Sequence, residues 1–138
     1  METLKQISMA YLFLFALYHL VTGIISVFFS RHAFKFYRVL YGFKPKEKKQ
    51  LVLIFKPWGN FALLTGLIAF LVFLNITAYF LILYTFCVLL MIRIWYRSVF
   101  YKELNKEFRV SFWENARSII IQILGVILFL YLAISPGN

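Results

Sequence analysis

His19 stands near the middle of a long apolar run of this sequence and Gln122 stands within another, where ionisable and polar side chains are costly to keep. A histidine in such a place could carry protons or act as a general base. Thr22 and Ser26 follow His19 at helical spacing and share its face, and Thr85 and Gln122 offer further hydrogen-bonding groups in other runs. Together these five residues form a candidate intramembrane polar site. Proton transfer or hydrolysis needs a second titratable group, however, and the acidic residues are Glu2, Glu47, Glu103, Glu107 and Glu114, all at the chain start or between the apolar runs. The expected state of His19 is therefore a neutral imidazole bonded to Gln122, to Thr85 or to a backbone carbonyl.

A second group, Arg97, Glu114, Asn115 and Arg117, clusters at the ends of two apolar runs and makes a candidate rim site. Glu114 is expected in the first turn of the last long helix, where the helix dipole favours a carboxylate, and near Arg97 or Arg117. Arg93 lies close enough to the end of its run to snorkel outward. The single cysteine, Cys87, cannot form an internal disulfide and reads as a small packing residue. His19 and His32 are the only histidines, and no His, Cys or carboxylate cluster has metal-ligand spacing. No metal or other cofactor is expected.

The elements that position these groups follow from composition. The 138 residues are 63% hydrophobic and 21% aromatic, with a mean hydropathy of +0.83, against roughly 45–50% apolar in soluble domains. Four runs, 8–29, 58–75, 77–96 and 118–135, approach the length of about 20 residues that crosses a hydrocarbon core about 30 Å thick. Lipid offers no partners to backbone N–H and C=O groups, so each crossing must be helical. The expected fold is an all-α membrane protein, one compact bundle of four transmembrane helices. The break "LNITAY" is so short that the second and third spans should form a tight antiparallel hairpin, with Asn75 turning the chain and Thr77 capping the next helix. The first run is too long for a secretory signal core and lacks a small-residue cleavage site, so it reads as a retained span.

The charge of +10 is asymmetric. Lys5 excepted, every basic residue lies at or beside one of the two long connections. The positive-inside rule therefore places both connections in the cytoplasm and both termini outside, in a plasma (inner) membrane. A nucleic-acid partner is not expected, because the basic residues abut spans and alternate with apolar ones instead of forming a free tail. Both connections read as interfacial amphipathic helices: Phe34, Tyr37 and Tyr41 can share one face, and Phe100, Leu104 and Phe108 recur every fourth residue. Their partners are the bilayer and its anionic headgroups, at about 1 kcal/mol per nearby Lys or Arg.

The stretches "KPWGN" and "FWENA" suggest a parallel repeat of 1–75 and 77–138, with Trp58 and Asn60 laid over Trp113 and Asn115. Membrane physics alone also produces Trp at the interface and Asn near a helix start. Small residues form stripes, Gly59, Ala62, Gly66 and Ala69 in the second span and Ser118, Gln122 and Gly125 in the fourth, and these should face other helices closely. Three functions are compatible with this pattern. The first is a non-enzymatic accessory or assembly component, working with a membrane-protein partner or as a homo-oligomer. The second is a small oligomeric transporter or channel with a path lined by His19, Thr22, Ser26, Thr85 and Gln122. The third is a membrane enzyme on a lipid-like substrate.

Overall fold

Apolar runs mark where hydrocarbon would be, but helices continue past it for as long as backbone groups find partners. The computed structural model, which describes residues 2–42, 44 and 48–135, accordingly has helices longer than the runs. In chain order these are α1 (Glu2–Phe28), α2 (Ser30–Tyr41), α3 (Lys48–Leu74), α4 (Ile76–Val99), α5 (Tyr101–Phe108) and α6 (Phe112–Ile134). α1, the Phe55–Leu74 part of α3, α4 and α6 are long and apolar enough to cross a membrane. The chain is thus all-α, and by length and composition a membrane protein with short helices α2 and α5 in its two long connections.

Two boundaries differ instructively from the expected ones. α6 starts at Phe112, because Ser111 and Glu114 make a reciprocal capping box: the Ser111 hydroxyl accepts from the Glu114 N–H at 3.3 Å, and the Ser111 N–H donates to Glu114 Oε2 at 2.8 Å. α3 runs back through Pro57 to Lys48. Pro57 is exposed beside Lys56, at the polar end of the span, where a lost backbone hydrogen bond costs least.

Between α3 and α4 only Asn75 is non-helical, and its side chain caps α4 by accepting from the Ala78 N–H at 3.1 Å. The expected cap at Thr77 is thereby corrected: Thr77 is already inside the helix. One residue thus joins α3 and α4 in a tight turn and the two helices touch, although α3 packs chiefly on α1 and α4 chiefly on α6. Glycine is the reason for the first pairing. A Cβ on Gly23 would come within 2.7 Å of the Leu63 backbone nitrogen, and one on Gly66 within 2.7 Å of the Leu20 backbone nitrogen. Backbones this close gain dispersion contacts that larger side chains would prevent.

The two pairs join through an aromatic core in the half of the bundle nearest Asn75. Phe15 meets Phe86 at 5.3 Å and Phe129 edge-on at 5.2 Å between ring centroids. Leu12, Leu83, Phe129 and Leu132 are fully enclosed around them. The opposite half carries the basic connections. Here Tyr37 of α2 turns inward, stacks on Phe55 at 5.0 Å and shares a 2.9 Å hydrogen bond with the Ser26 hydroxyl. The second connection buries Leu104 and Val110, and the two connections meet where the Lys44 N–H donates to the Phe108 carbonyl at 2.8 Å. Trp58, Trp95 and Trp113 are all exposed near this basic end, the usual place for an interfacial aromatic belt.

Candidate functional site

A cavity of about 270 Å³ opens between α1, α4 and α6 in the basic half of the bundle. Its walls are mostly apolar, with Leu14, Phe15, Leu90 and Ile121 among them. Leu14 and Ile121 are themselves 60% and 51% exposed, so the cavity opens sideways along the α1–α6 seam, toward where lipid would lie. Into these walls are set His19, Ser118 and Gln122, each buried, together with the cations Arg93 and Arg117 and the phenols of Tyr11 and Tyr18.

Each polar wall residue has a local reason for its position. The His19 Nδ1–H donates to the Phe15 carbonyl one turn back at 2.8 Å, which fixes the ring and, when the ring is neutral, leaves Nε2 as an acceptor. Gln122 folds back on its own helix, and its Nε2 donates to the Ser118 carbonyl at 3.0 Å and to the Ser118 hydroxyl at 2.9 Å. Gln122 Oε1 is buried and receives no hydrogen bond. An unmet acceptor of this kind costs about 1–3 kcal/mol. Tyr11 spans from α1 to α6 by donating to the Ile121 carbonyl at 3.0 Å. At the end of the cavity nearest the basic connections, Arg117 donates to the Leu40 carbonyl near the end of α2 at 3.3 Å.

Of the five residues of the intramembrane group, the cavity brings together His19 and Gln122. The partner that His19 finds is the backbone carbonyl, not Gln122 or Thr85. Thr22 is buried beside them in α1, but its hydroxyl donates back to Tyr18 and His19 carbonyls at 2.9 and 3.1 Å. Ser26 is engaged with Tyr37. Thr85 is exposed on α4 and takes no part in the cavity.

The rim group divides in two. Arg97 and Asn115 form a buried reciprocal pair between α4 and α6: Arg97 Nη1 donates to Asn115 Oδ1 at 3.0 Å, and Asn115 Nδ2 donates to the Arg97 carbonyl at 3.3 Å. Glu114 faces away from that pair, and its carboxylate lies against Gly42, the left-handed residue that ends α2. It has Lys44 and Arg117 as charged neighbours. Asn60, which the sequence pairs with Asn115, is exposed and lies a dozen residues into α3, whereas Asn115 is buried in the first turn of α6.

Sequence reasoning missed Arg93, Tyr11 and Tyr18 as cavity residues. A signal existed, because Leu83, Phe86, Leu90 and Arg97 trace the buried face of α4 and Arg93 falls in that series. Tyr11, Phe15 and His19 likewise recur every fourth residue. Among the described residues no group of three His, Cys, Asp or Glu side chains is placed to hold a metal ion. Comparison with known proteins finds no matching family model, no similar curated protein and no similar solved structure.

Proposed function

We propose that this chain is a non-enzymatic, multi-pass component of a plasma (inner) membrane. In this reading both termini lie outside, the basic connections are cytoplasmic, and the protein acts as an accessory or assembly element for another membrane protein or for further copies of itself. The observation that carries the reading is the use made of the rim. The side chains there with the most chemical capacity are already engaged: Arg97 and Asn115 join α4 to α6, Arg117 joins α6 to α2, and Glu114 caps the start of α6. What this leaves outward on the connections are the exposed cations Lys35, Arg38, Lys102 and Lys106, the last two interleaved with the exposed Glu103 and Glu107, suited to anionic headgroups and to an acidic partner surface.

The test is deletion in the native membrane followed by native-gel profiling of membrane complexes. One complex should lose mass or a component and recover it with the wild-type chain, but not with a chain carrying Lys35→Glu, Arg38→Glu, Lys102→Glu and Lys106→Glu. An unchanged profile after deletion rejects the accessory role. Orientation is tested separately by single cysteines at Thr3 and Lys106 in a Cys87→Ala background: a membrane-impermeant thiol reagent added to intact cells should label the first and spare the second.

A second reading, the oligomeric transporter, is favoured by one observation, that His19 and Gln122 line a shared cavity. Thr85 would join their path only at a contact between subunits. Liposome flux should then fall with His19→Ala and Gln122→Ala, and flux indifferent to both would remove these residues from it. The enzyme reading has the same cavity to draw on, since it touches both His19 and Arg117.

A further inference from the structure

The turn from α1 into α2 leaves a second opening, on the outside of the bundle. Ile25 and Phe29 at the end of α1 face His32, Lys35, Phe36 and Val39 of α2 across a groove of about 550 Å³. Its apolar walls stay open, with Phe29 and Val39 57% and 76% exposed. The helix that forms one wall is nevertheless fixed. Ala33 and Tyr37 on the opposite face of α2 are buried against the bundle, and Tyr37 shares its hydrogen bond with Ser26 of α1. The groove is therefore formed before anything enters it, which lowers the ordering cost of binding.

Position and charge say what fills it. Ile25 and Phe29 stand at the end of the α1 span, where hydrocarbon gives way to headgroups, so an acyl chain is the neighbour these side chains meet. His32 and Lys35 lie one turn apart on the edge of the groove, and Lys35 can lay its alkyl stem along the wall while its ammonium reaches headgroup level. Among the described residues neither side chain makes a hydrogen bond or an ion pair. α2 has no acidic residue, and Arg38 adds a further exposed cation. A phosphate can accept from both the ammonium and the imidazole N–H, whereas a choline head would bring its own cation against Lys35 and Arg38. The other connection lacks this selectivity, because on α5 Lys102 and Lys106 are each followed by a glutamate, Glu103 and Glu107. We propose that the α1–α2 groove is a specific site for one anionic phospholipid, with its phosphate on Lys35 and His32 and an acyl chain along the apolar walls. This rests on the membrane-surface placement of α2 in the reading above but not on the accessory role, and either can fail alone.

Native mass spectrometry of the full chain in detergent tests the site, with dioleoyl phosphatidylglycerol and dioleoyl phosphatidylcholine as probes at equal concentration. One phosphatidylglycerol should be retained per chain, about tenfold more tightly than phosphatidylcholine, the scale of one hydrogen bond to a charged group. Lys35→Met, which keeps the alkyl stem at an exposed position, should remove most of that preference, and Lys35→Arg should retain it. His32→Ala should lessen it. Lys102→Met, the same loss of charge on α5, should leave it unchanged. Val39→Trp fills the groove and should weaken retention of both lipids, while the circular dichroism spectrum and thermal midpoint of each variant stay those of the wild type. Equal retention of the two lipids overturns the proposal and leaves the groove to a protein partner. A preference that survives in Lys35→Met, or falls as far in Lys102→Met, overturns it by showing diffuse attraction. Displacement of the bound lipid by glycerol 3-phosphate also overturns it, since the site would then be one for a free phosphate.

Discussion

Truncating Asn115 removes both of the hydrogen bonds it shares with Arg97, in a place where neither water nor lipid can replace them. Asn115→Ala should therefore destabilise the folded chain by about 2–3 kcal/mol, the scale of a bond to a charged group, visible as a lower thermal midpoint in nanodiscs. Tyr37 gives a case with a pH signature. Burial raises its phenol above the ordinary value of 10.0, opposed by hydrogen bonds with Ser26 and Trp58. A group held neutral by folding contributes stability that is complete below the unfolded value and is lost as pH rises toward the raised folded value. The thermal midpoint of the wild type should thus fall from pH 10 upward. Tyr37→Phe should lower the midpoint at neutral pH by the equivalent of about 1 kcal/mol and flatten that alkaline decline. At this scale the sequence was only partly legible. It marked His19 and Gln122 as unusual because each is polar in an apolar run, but whether they bond each other depends on rotamers and helix rotation. Both turned to their own helices, His19 to Phe15 and Gln122 to Ser118. The Arg97–Asn115 pair was illegible for a related reason: it joins the end of one helix to the start of another across α5, and no periodicity encodes that.

Small residues decide which helices pair. α1 and α3 approach closely because Gly23, Gly59 and Gly66 have no Cβ to separate them, and on Gly23 a Cβ would meet backbone, which cannot rotate away. Gly23→Ala should cost about 1–3 kcal/mol through overpacking and reduce cross-linking between cysteines placed at Leu17 and Leu67, whereas Ala10→Gly, at an exposed position, should leave that cross-linking unchanged. Elements were the most legible scale. Four apolar runs gave four long helices, and the amphipathic connections gave α2 and α5. Hydropathy could not reveal that α6 begins six residues before Ser118, although the pattern Ser-x-x-Glu at Ser111 and Glu114 carried that information as a capping box. Nor could chain proximity predict pairing: α3 and α4 are joined by one residue, yet each has its larger interface elsewhere.

The whole molecule is two helix pairs, α1–α3 and α4–α6, held by aromatic contacts at one end and by polar clamps and connections at the other. Phe129 is fully buried where the pairs meet and touches Tyr11, Phe15 and Phe86. Phe129→Ala should cost about 3–5 kcal/mol and loosen the docking of the pairs, read as faster hydrogen exchange in the aromatic half with the Arg97–Asn115 region still protected. This division also sets a timetable for biogenesis. α1 leaves the ribosome before α3, and its Gly23 is answered only when Leu63 follows, some forty residues later. Its Tyr11 hydroxyl waits far longer, because the Ile121 carbonyl lies 110 residues downstream. Until α6 is inserted the Arg97–Asn115 pair cannot form and the cavity has no third wall. A chain stalled before α6 would present polar groups to lipid, so it is α6, translated after α1, α3 and α4, that completes the interior around α1.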